Sequence, residues 1–169
     1  TGSWQQFQEM QLSLQRVGDI VNQPLEVLEN EDKNIDMPEI SGNILAKDLS
    51  FSYSSSSQPV LNSLNLEIKK GSFVGLVGQS GCGKSSFLKM IPRLYRPTSG
   101  KLIIDNFDVT KVDLYSLRNQ IGFVPQDCML FEGTVFSNIA LGNPESSAEN
   151  VINASKAACA HDFIMNLPY

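Results

Sequence analysis

The chain has 169 residues, 41% of them hydrophobic and 18% charged, with a formal net charge of −5. That length holds about one domain, and the composition is that of an ordinary globular chain. No run nears the roughly 18 consecutive apolar residues of a membrane span, no signal-peptide pattern opens the chain, and the acidic balance argues against a nucleic-acid partner.

The charge is unevenly spread. Between Lys69 and Ile104 there are seven basic residues and no Asp or Glu, a phosphate-friendly stretch inside an acidic chain. The three cysteines, Cys82, Cys128 and Cys159, are odd in number and far apart, which fits neither a disulfide framework nor a zinc site. A reducing, cytosolic setting is the expectation.

In chain order, Trp4, Phe7, Met10, Leu14, Val17 and Val21 recur at steps of three and four. This predicts an amphipathic helix ending before Pro24, most simply a packing element. Residues 23–42 are polar and acidic with two prolines and read as a linker. From Asn43 the pattern shifts to short apolar stretches. Ile44, Leu45, Leu49, Phe51 and Tyr53 suggest a strand, and a polar loop follows over Ser54 to Pro59. Alternation of Leu61, Leu64, Leu66 and Ile68 suits a half-buried strand. Phe73 to Val77 is a continuous apolar run, the pattern of a strand buried on both faces.

Gly78-Gln79-Ser80-Gly81-Cys82-Gly83-Lys84-Ser85 matches the phosphate-loop pattern G-x-x-x-x-G-K-[ST] at every position. Its glycines let successive backbone N–H groups turn inward as an anion nest, and the following helix directs its positive end at the same oxygens. Lys84 would reach the β- and γ-phosphates, and the Ser85 hydroxyl would ligate Mg²⁺. Chance alone yields the pattern in about one chain of this length in a hundred. The apolar strand before the loop and the apolar helix after it lower that figure further. Cys82 contributes its backbone in this scheme.

Beyond the loop, a helix is expected over Ser85 to Ile91, a turn over Arg96 to Gly100 and a strand over Lys101 to Asp105. Then come a short helix over Leu114 to Asn119 and a fourth buried strand over Ile121 to Val124. The last third, Val135 to Leu167, is rich in Ala, Asn and Ser and reads as helical, with candidates at Ala148 to Ala160 and His161 to Leu167.

The residues around the loop narrow the family. Gly78 to Ser86 resembles the Walker A motif of an ATP-binding-cassette (ABC) transporter ATPase. Tyr53, 25 residues earlier in Leu-Ser-Phe-Ser-Tyr, resembles the A-loop, whose aromatic ring stacks on adenine. Ile-Gly-Phe-Val-Pro-Gln126-Asp is similar to the Q-loop, whose glutamine reaches Mg²⁺ and the attacking water and couples the site to the membrane domain. Leu130-Phe131-Glu132-Gly133-Thr134-Val135 with Asn138-Ile139 resembles the exporter branch, as does Arg96-Pro97-Thr98-Ser99-Gly100. The leading helix resembles the cytoplasmic extension of a last transmembrane helix in bacterial peptide or protein exporters.

The resemblance covers about Asn43 to Tyr169 and implies the following. Residues 1–22 are the helical extension, 23–42 the linker, and 43–169 the N-terminal part of an ATP-binding domain. The fold class is α/β: a P-loop core with parallel strands, an antiparallel β subdomain and a partial helical subdomain. The cofactors are ATP and Mg²⁺. Tyr53, Gln79, Ser80, Gly81, Cys82, Gly83, Lys84, Ser85 and Ser86 bind nucleotide, Ser85 and Gln126 serve the metal, and Lys84 and Gln126 serve catalysis. The partners are the transporter's own transmembrane domain and a second ATP-binding domain, at the cytoplasmic face of a membrane, the inner membrane of a bacterium. Peptides or proteins are the expected cargo.

Departures from the pattern matter as well. The signature loop, the Walker B strand with its catalytic Glu, the D-loop and the switch His do not occur before Tyr169. Leu102-Ile103-Ile104-Asp105 has the outline of a Walker B strand but comes too early and is followed by Asn106 rather than an acid. His161 is expected at a helix start. Asn106 stands where a turn glycine is usual and tolerates a left-handed conformation. Ser86 stands where Thr is common. Two other readings remain at this point: a different P-loop enzyme using Asp105, and a non-catalytic truncated fragment of the same family. An incomplete core sheet and a marginal or aggregation-prone product are also expected.

The 169 residues alone are expected to bind Mg-ATP weakly and to show no ATPase above background, because hydrolysis needs a placed water and a base as well as a phosphate clamp. Phosphate release that disappears in Lys84→Ala would overturn this.

Overall fold

In the computed structural model, which describes residues 2–22, 35–54 and 57–168, strand β1 (Ile44–Phe51) lies between two antiparallel neighbours. On one side is β2 (Leu61–Ile68) and on the other β3 (Ser99–Ile104), which continues into the short β4 (Phe107–Asp108). The order is β2-β1-β3-β4, and Ile44 stands opposite both Ile68 and Ile104. Side chains alternate between faces along a strand. In β3 this buries Leu102 and Ile104 and turns Lys101 outward.

Two local features shape the sheet. Asp48 takes a left-handed φ of 46°, and the pairing shifts register between Ala46 and Leu49. Gly100 lies directly against this irregularity: at φ 79°, a Cβ there would run into the Asp48 carbonyl. The turn between β3 and β4 is Asp105-Asn106, with φ of 45° and 72°. Positive φ at both central residues is the two-residue hairpin geometry that matches strand twist, and Asn106 adopts the conformation its residue type tolerates.

The apolar face of the sheet shares one buried cluster with Phe87 and Met90 of helix α2 (Lys84–Met90), after α1 (Gly2–Val21), and with Leu117 of α3 (Leu114–Arg118). Val109 and Val112 complete it between β4 and α3. Arg93 is buried yet satisfied, its Nη1 donating to the Val112 carbonyl at 2.8 Å and the Val109 carbonyl at 3.3 Å. Helix α3 is capped by the Asp113 carboxylate, which accepts from the Ser116 amide at 2.7 Å.

The expected linker 23–42 is corrected in part. Residues 23–34 lie outside the described residues, but 35–42 are fastened to the domain. Met37 is buried in the core, and its amide donates to Ser116 Oγ at 2.8 Å. Gln120 accepts from the Ile40 amide at 2.9 Å and donates to the Met37 and Pro38 carbonyls. A polar, proline-containing stretch reads as linker because these partners are some 80 residues away in sequence.

Two other expectations also change. Phe73 to Val77 and Ile121 to Val124 were expected as buried parallel strands, yet neither is in a sheet ladder among the described residues. Phe73 and Val77 are almost fully exposed, as is most of Val124. A strand is defined by pairing, and no described strand runs beside either segment; Leu76 and Ile121 pack against the core, while Phe73, Val77 and Val124 stay uncovered. Helix α1 forms as its periodicity predicts, but Trp4, Phe7, Met10, Leu14, Val17 and Val21 are all exposed. Its apolar stripe is not packed against the described residues.

Residues Thr1–Phe123 and Val124–Tyr169 are separate compact units. The second consists of α4 (Val135–Ile139), a 3-10 turn at Ala140–Gly142, α5 (Ala148–Ala157) and α6 (His161–Met165). Thr134 and Ser147 cap α4 and α5 through their hydroxyl oxygens. The last two helices end two or three residues before the sequence periodicity suggested.

Asp105 ties the β3–β4 turn to the chain entering β1. Its carboxylate accepts from the amides of Ser41, Gly42 and Asn43 at 2.5–3.0 Å and from Asn43 Nδ2 at 3.0 Å. Burial pushes its pKa up, but the combined hydrogen bonds outweigh this and hold it below the usual carboxylate value. A depressed folded pKa means the contribution is complete above the ordinary value of 3.8 and is lost as pH falls through the folded value. Asp105→Ala should lose these hydrogen bonds, which solvent exposure discounts to about 0.5–1 kcal/mol at neutral pH. In denaturant melts, that gap from the parent protein should close in acid.

Candidate phosphate-binding site

The P-loop is held by its glycines and by its seat on the sheet. Gly81 and Gly83 have φ of 81° and 94°, left-handed values that L side chains rarely adopt. Gly83 also caps α2, and a Cβ on it would lie 2.6 Å from Leu61 Cδ2 and 3.1 Å from the Val60 carbonyl. The start of β2 therefore fixes where the loop turns into the helix. The Cys82 amide closes a turn on the Gln79 carbonyl at 3.3 Å. The amides of Gly81, Gly83, Lys84 and Ser85 meet no acceptor among the described residues. Such a run of free donors at a helix start suits an anion.

Lys84 Nζ donates to the Gly78 and Gln79 carbonyls at 2.8 and 2.7 Å, which holds the ammonium against the loop. Cys82 Sγ lies 3.6 Å from the same nitrogen. The Ser85 hydroxyl is exposed and makes no hydrogen bond to the described residues, so it is available as an oxygen ligand. Among the described residues no group of three or more His, Cys, Asp or Glu could hold a metal ion. A divalent ion here would depend on Ser85 and on phosphate oxygens, a donor set suited to Mg²⁺.

Tyr53 stands just past the end of β1 and is 59% exposed. Its hydroxyl is 2.8 Å from Ser86 Oγ, in the first turn of α2. Phe51 meets its ring edge-on at 5.0 Å and Tyr95 at 5.5 Å, while Phe51 and Tyr95 stack at 5.2 Å. Lys89 Nζ lies 5.7 Å from the centre of the Tyr95 ring. An exposed aromatic face beside a run of free amides can take a planar base joined to a phosphate chain.

The first unit thus places Tyr53 against Ser86, at the end of the stretch 79–86. Gln126 belongs to the second unit, where it is exposed in the bend after Pro125. Asp105 is committed to residues 41–43, which gives its Walker B outline a structural purpose. His161 opens α6, with Nδ1 3.2 Å from Ser155 Oγ. In the second unit Asn138 clasps the loop before its own helix, accepting from the Phe131 amide at 2.8 Å and donating to the Phe131 and Thr134 carbonyls. That unit also holds an apolar groove of about 610 Å³ lined by Leu130, Phe131, Val135, Ile139, Phe163 and Ile164 among others.

Sequence reasoning missed the roles of Val60, Leu61 and Tyr95. It also read Ser86 as a nucleotide-binding residue standing where Thr is common, without its contact to Tyr53. These contacts join residues 33 apart or lie between a loop and a strand start, so no local spacing marks them.

A family model described as ABC transporter matches residues 61–167. The leukotoxin translocation ATP-binding protein LktB of Mannheimia glucosida is 44% identical over 164 residues, covering 97% of this chain and 23% of that protein. The alpha-hemolysin translocation ATP-binding protein HlyB of Escherichia coli O6:H1 is 43% identical with the same coverage. The chain thus spans 23% of the length of these relatives. Among solved structures, that of a bacterial Atm1-family ABC exporter with ATP bound matches with a TM-score of 0.80 and 30% identity, over 98% of this chain and 29% of that one.

The Gly83 contact yields a specific expectation. Gly83→Ala should cost about 1–3 kcal/mol, because it imposes a left-handed alanine and crowds Val60 and Leu61. Adding Leu61→Ala should relieve the crowding but not the backbone strain. A thermal-melt double-mutant cycle that shows no coupling would remove Leu61 from the account.

Proposed function

The chain belongs to the ABC transporter family, and from that premise we propose that it binds ATP with Mg²⁺ as part of an exporter's nucleotide-binding domain. The observation that carries the proposal is the juxtaposition of the free P-loop amides, Lys84 and the exposed Tyr53 ring on one unit. In this reading the adenine stacks on Tyr53 and the amides of 79–86 receive the phosphate oxygens. Lys84 exchanges its bonds to the Gly78 and Gln79 carbonyls for the β- and γ-phosphates. Ser85 offers its hydroxyl to Mg²⁺, which when bound would neutralise phosphate charge. Gln126 orients water and reports the state of the site to the membrane domain.

For the whole protein we propose ATP hydrolysis coupled to transport, with a second such domain completing the site. The working place would be the cytoplasmic face of a bacterial inner membrane. The apolar groove of the second unit supports contact with a membrane domain, since an exposed apolar patch of that kind marks an interaction surface. The leukotoxin and hemolysin translocation proteins among its relatives favour a peptide or protein cargo.

Equilibrium binding of ATP and of inorganic tripolyphosphate to the intact protein tests the site. Lys84→Ala should weaken both ligands by roughly tenfold to a hundredfold, the worth of charged hydrogen bonds. Tyr53→Ala should weaken ATP by about fivefold or more and leave tripolyphosphate unchanged, because stacking acts on the base alone. Undiminished ATP binding in Lys84→Ala would end this reading.

A further inference from the structure

The ring of Tyr53 needs a defined position to serve as a base platform, and β1 does not supply it. The strand ends at Phe51, and Tyr53 lies beyond the sheet ladder as an exposed residue. Its position comes instead from three side chains. Phe51 and Tyr95 meet it edge-on, at interplanar angles of 75° and 88°, and these contacts limit how the ring can tilt. The third contact is polar: the Tyr53 hydroxyl with Ser86 Oγ at 2.8 Å.

Ser86 is an unusual partner for an exposed tyrosine. It is only 4% exposed and lies in the first turn of α2, as the last residue of the phosphate-loop stretch. A helical serine commonly turns its hydroxyl back onto a carbonyl of its own helix. Here the hydroxyl meets a residue 33 positions away. A buried hydroxyl left without a partner would be costly, so the bond constrains both ends. The Tyr53 ring is therefore anchored to the same helix turn whose amides face the phosphates.

We propose that Ser86 is a positioning residue that sets the distance between base platform and phosphate loop. It acts through the Tyr53 hydroxyl and selects for a ligand whose base and triphosphate reach both at once. The inference rests on the reading that Tyr53 stacks the base, and it goes further in giving the hydroxyls of Tyr53 and Ser86 one shared task. A phenylalanine at position 53 would keep the stacking surface and lose the anchor. A threonine at position 86 would keep the anchor.

The test is binding of ATP and of inorganic tripolyphosphate to the intact protein and its variants. Ser86→Ala and Tyr53→Phe should each weaken ATP by about three- to tenfold, the worth of one net hydrogen bond. Tripolyphosphate affinity should stay unchanged in Tyr53→Phe, which alters no loop residue and so also shows that the loop is folded, while Ser86→Ala, which keeps its backbone amide, should weaken ATP more than tripolyphosphate. Ser86→Thr should restore ATP affinity, and the double variant Tyr53→Phe/Ser86→Ala should be no weaker than either single change. Equal weakening of both ligands in Ser86→Ala would overturn the proposal, since the hydroxyl would then serve the phosphates. So would additive losses in the double variant, or normal ATP binding in Ser86→Ala while Tyr53→Ala is impaired. Normal ATP binding in Tyr53→Ala would overturn this inference together with the adenine reading beneath it.

Discussion

The contact between Gly83 and the start of β2 is the constraint from which the site follows. With no Cβ, Gly83 can lie against Leu61 and the Val60 carbonyl while its backbone takes a left-handed turn. That single close approach sets where the loop ends and α2 begins. It thereby directs the amides of 81–85, seats Phe87 and Met90 in the core, and brings Ser86 within reach of Tyr53. The proposed binding chemistry and the sheet packing are thus joined at one residue.

The sheet can carry this load because β1 is paired on both sides and the chain entering it is secured by polar contacts. Asp105 gathers the amides of 41–43, while Gln120 and Ser116 hold 37–40. Asp105 shows how a residue that imitates a catalytic acid in sequence can be structural. Its carboxylate is already surrounded by donors, which is the same reason its pKa is depressed. Buried Arg93 performs a similar task for the carbonyls of Val109 and Val112.

Much of this was legible in the sequence. The period of two in 61–68 and of three to four in 2–21 placed β2 and α1 to within a residue or two, because backbone geometry imposes those periods locally. Asn106 in a left-handed turn and the P-loop glycines were readable for the same local reason. The apolar runs at 73–77 and 121–124 were legible only as a demand for cover. A run of that kind states that its side chains need burial but does not name the element that provides it, and the described residues cover Leu76 and Ile121 but not Phe73, Val77 or Val124. The stripe of α1 presents the same case.

What the sequence determined by itself was the candidate phosphate loop, with its lysine and serine, and the elements β2, α2, β3 and α3 near it. These depend on residue type and short spacing, so they can be read along the chain. Tertiary structure alone decided that Gly83 rests on Leu61, that residues 35–42 belong to the domain, that Asp105 is a clamp, and that Tyr53 is anchored to Ser86. Each of these joins residues about 20 to 80 positions apart, as far as the reach from Ile40 to Gln120. Contacts of that reach exist only once the sheet has brought distant segments together.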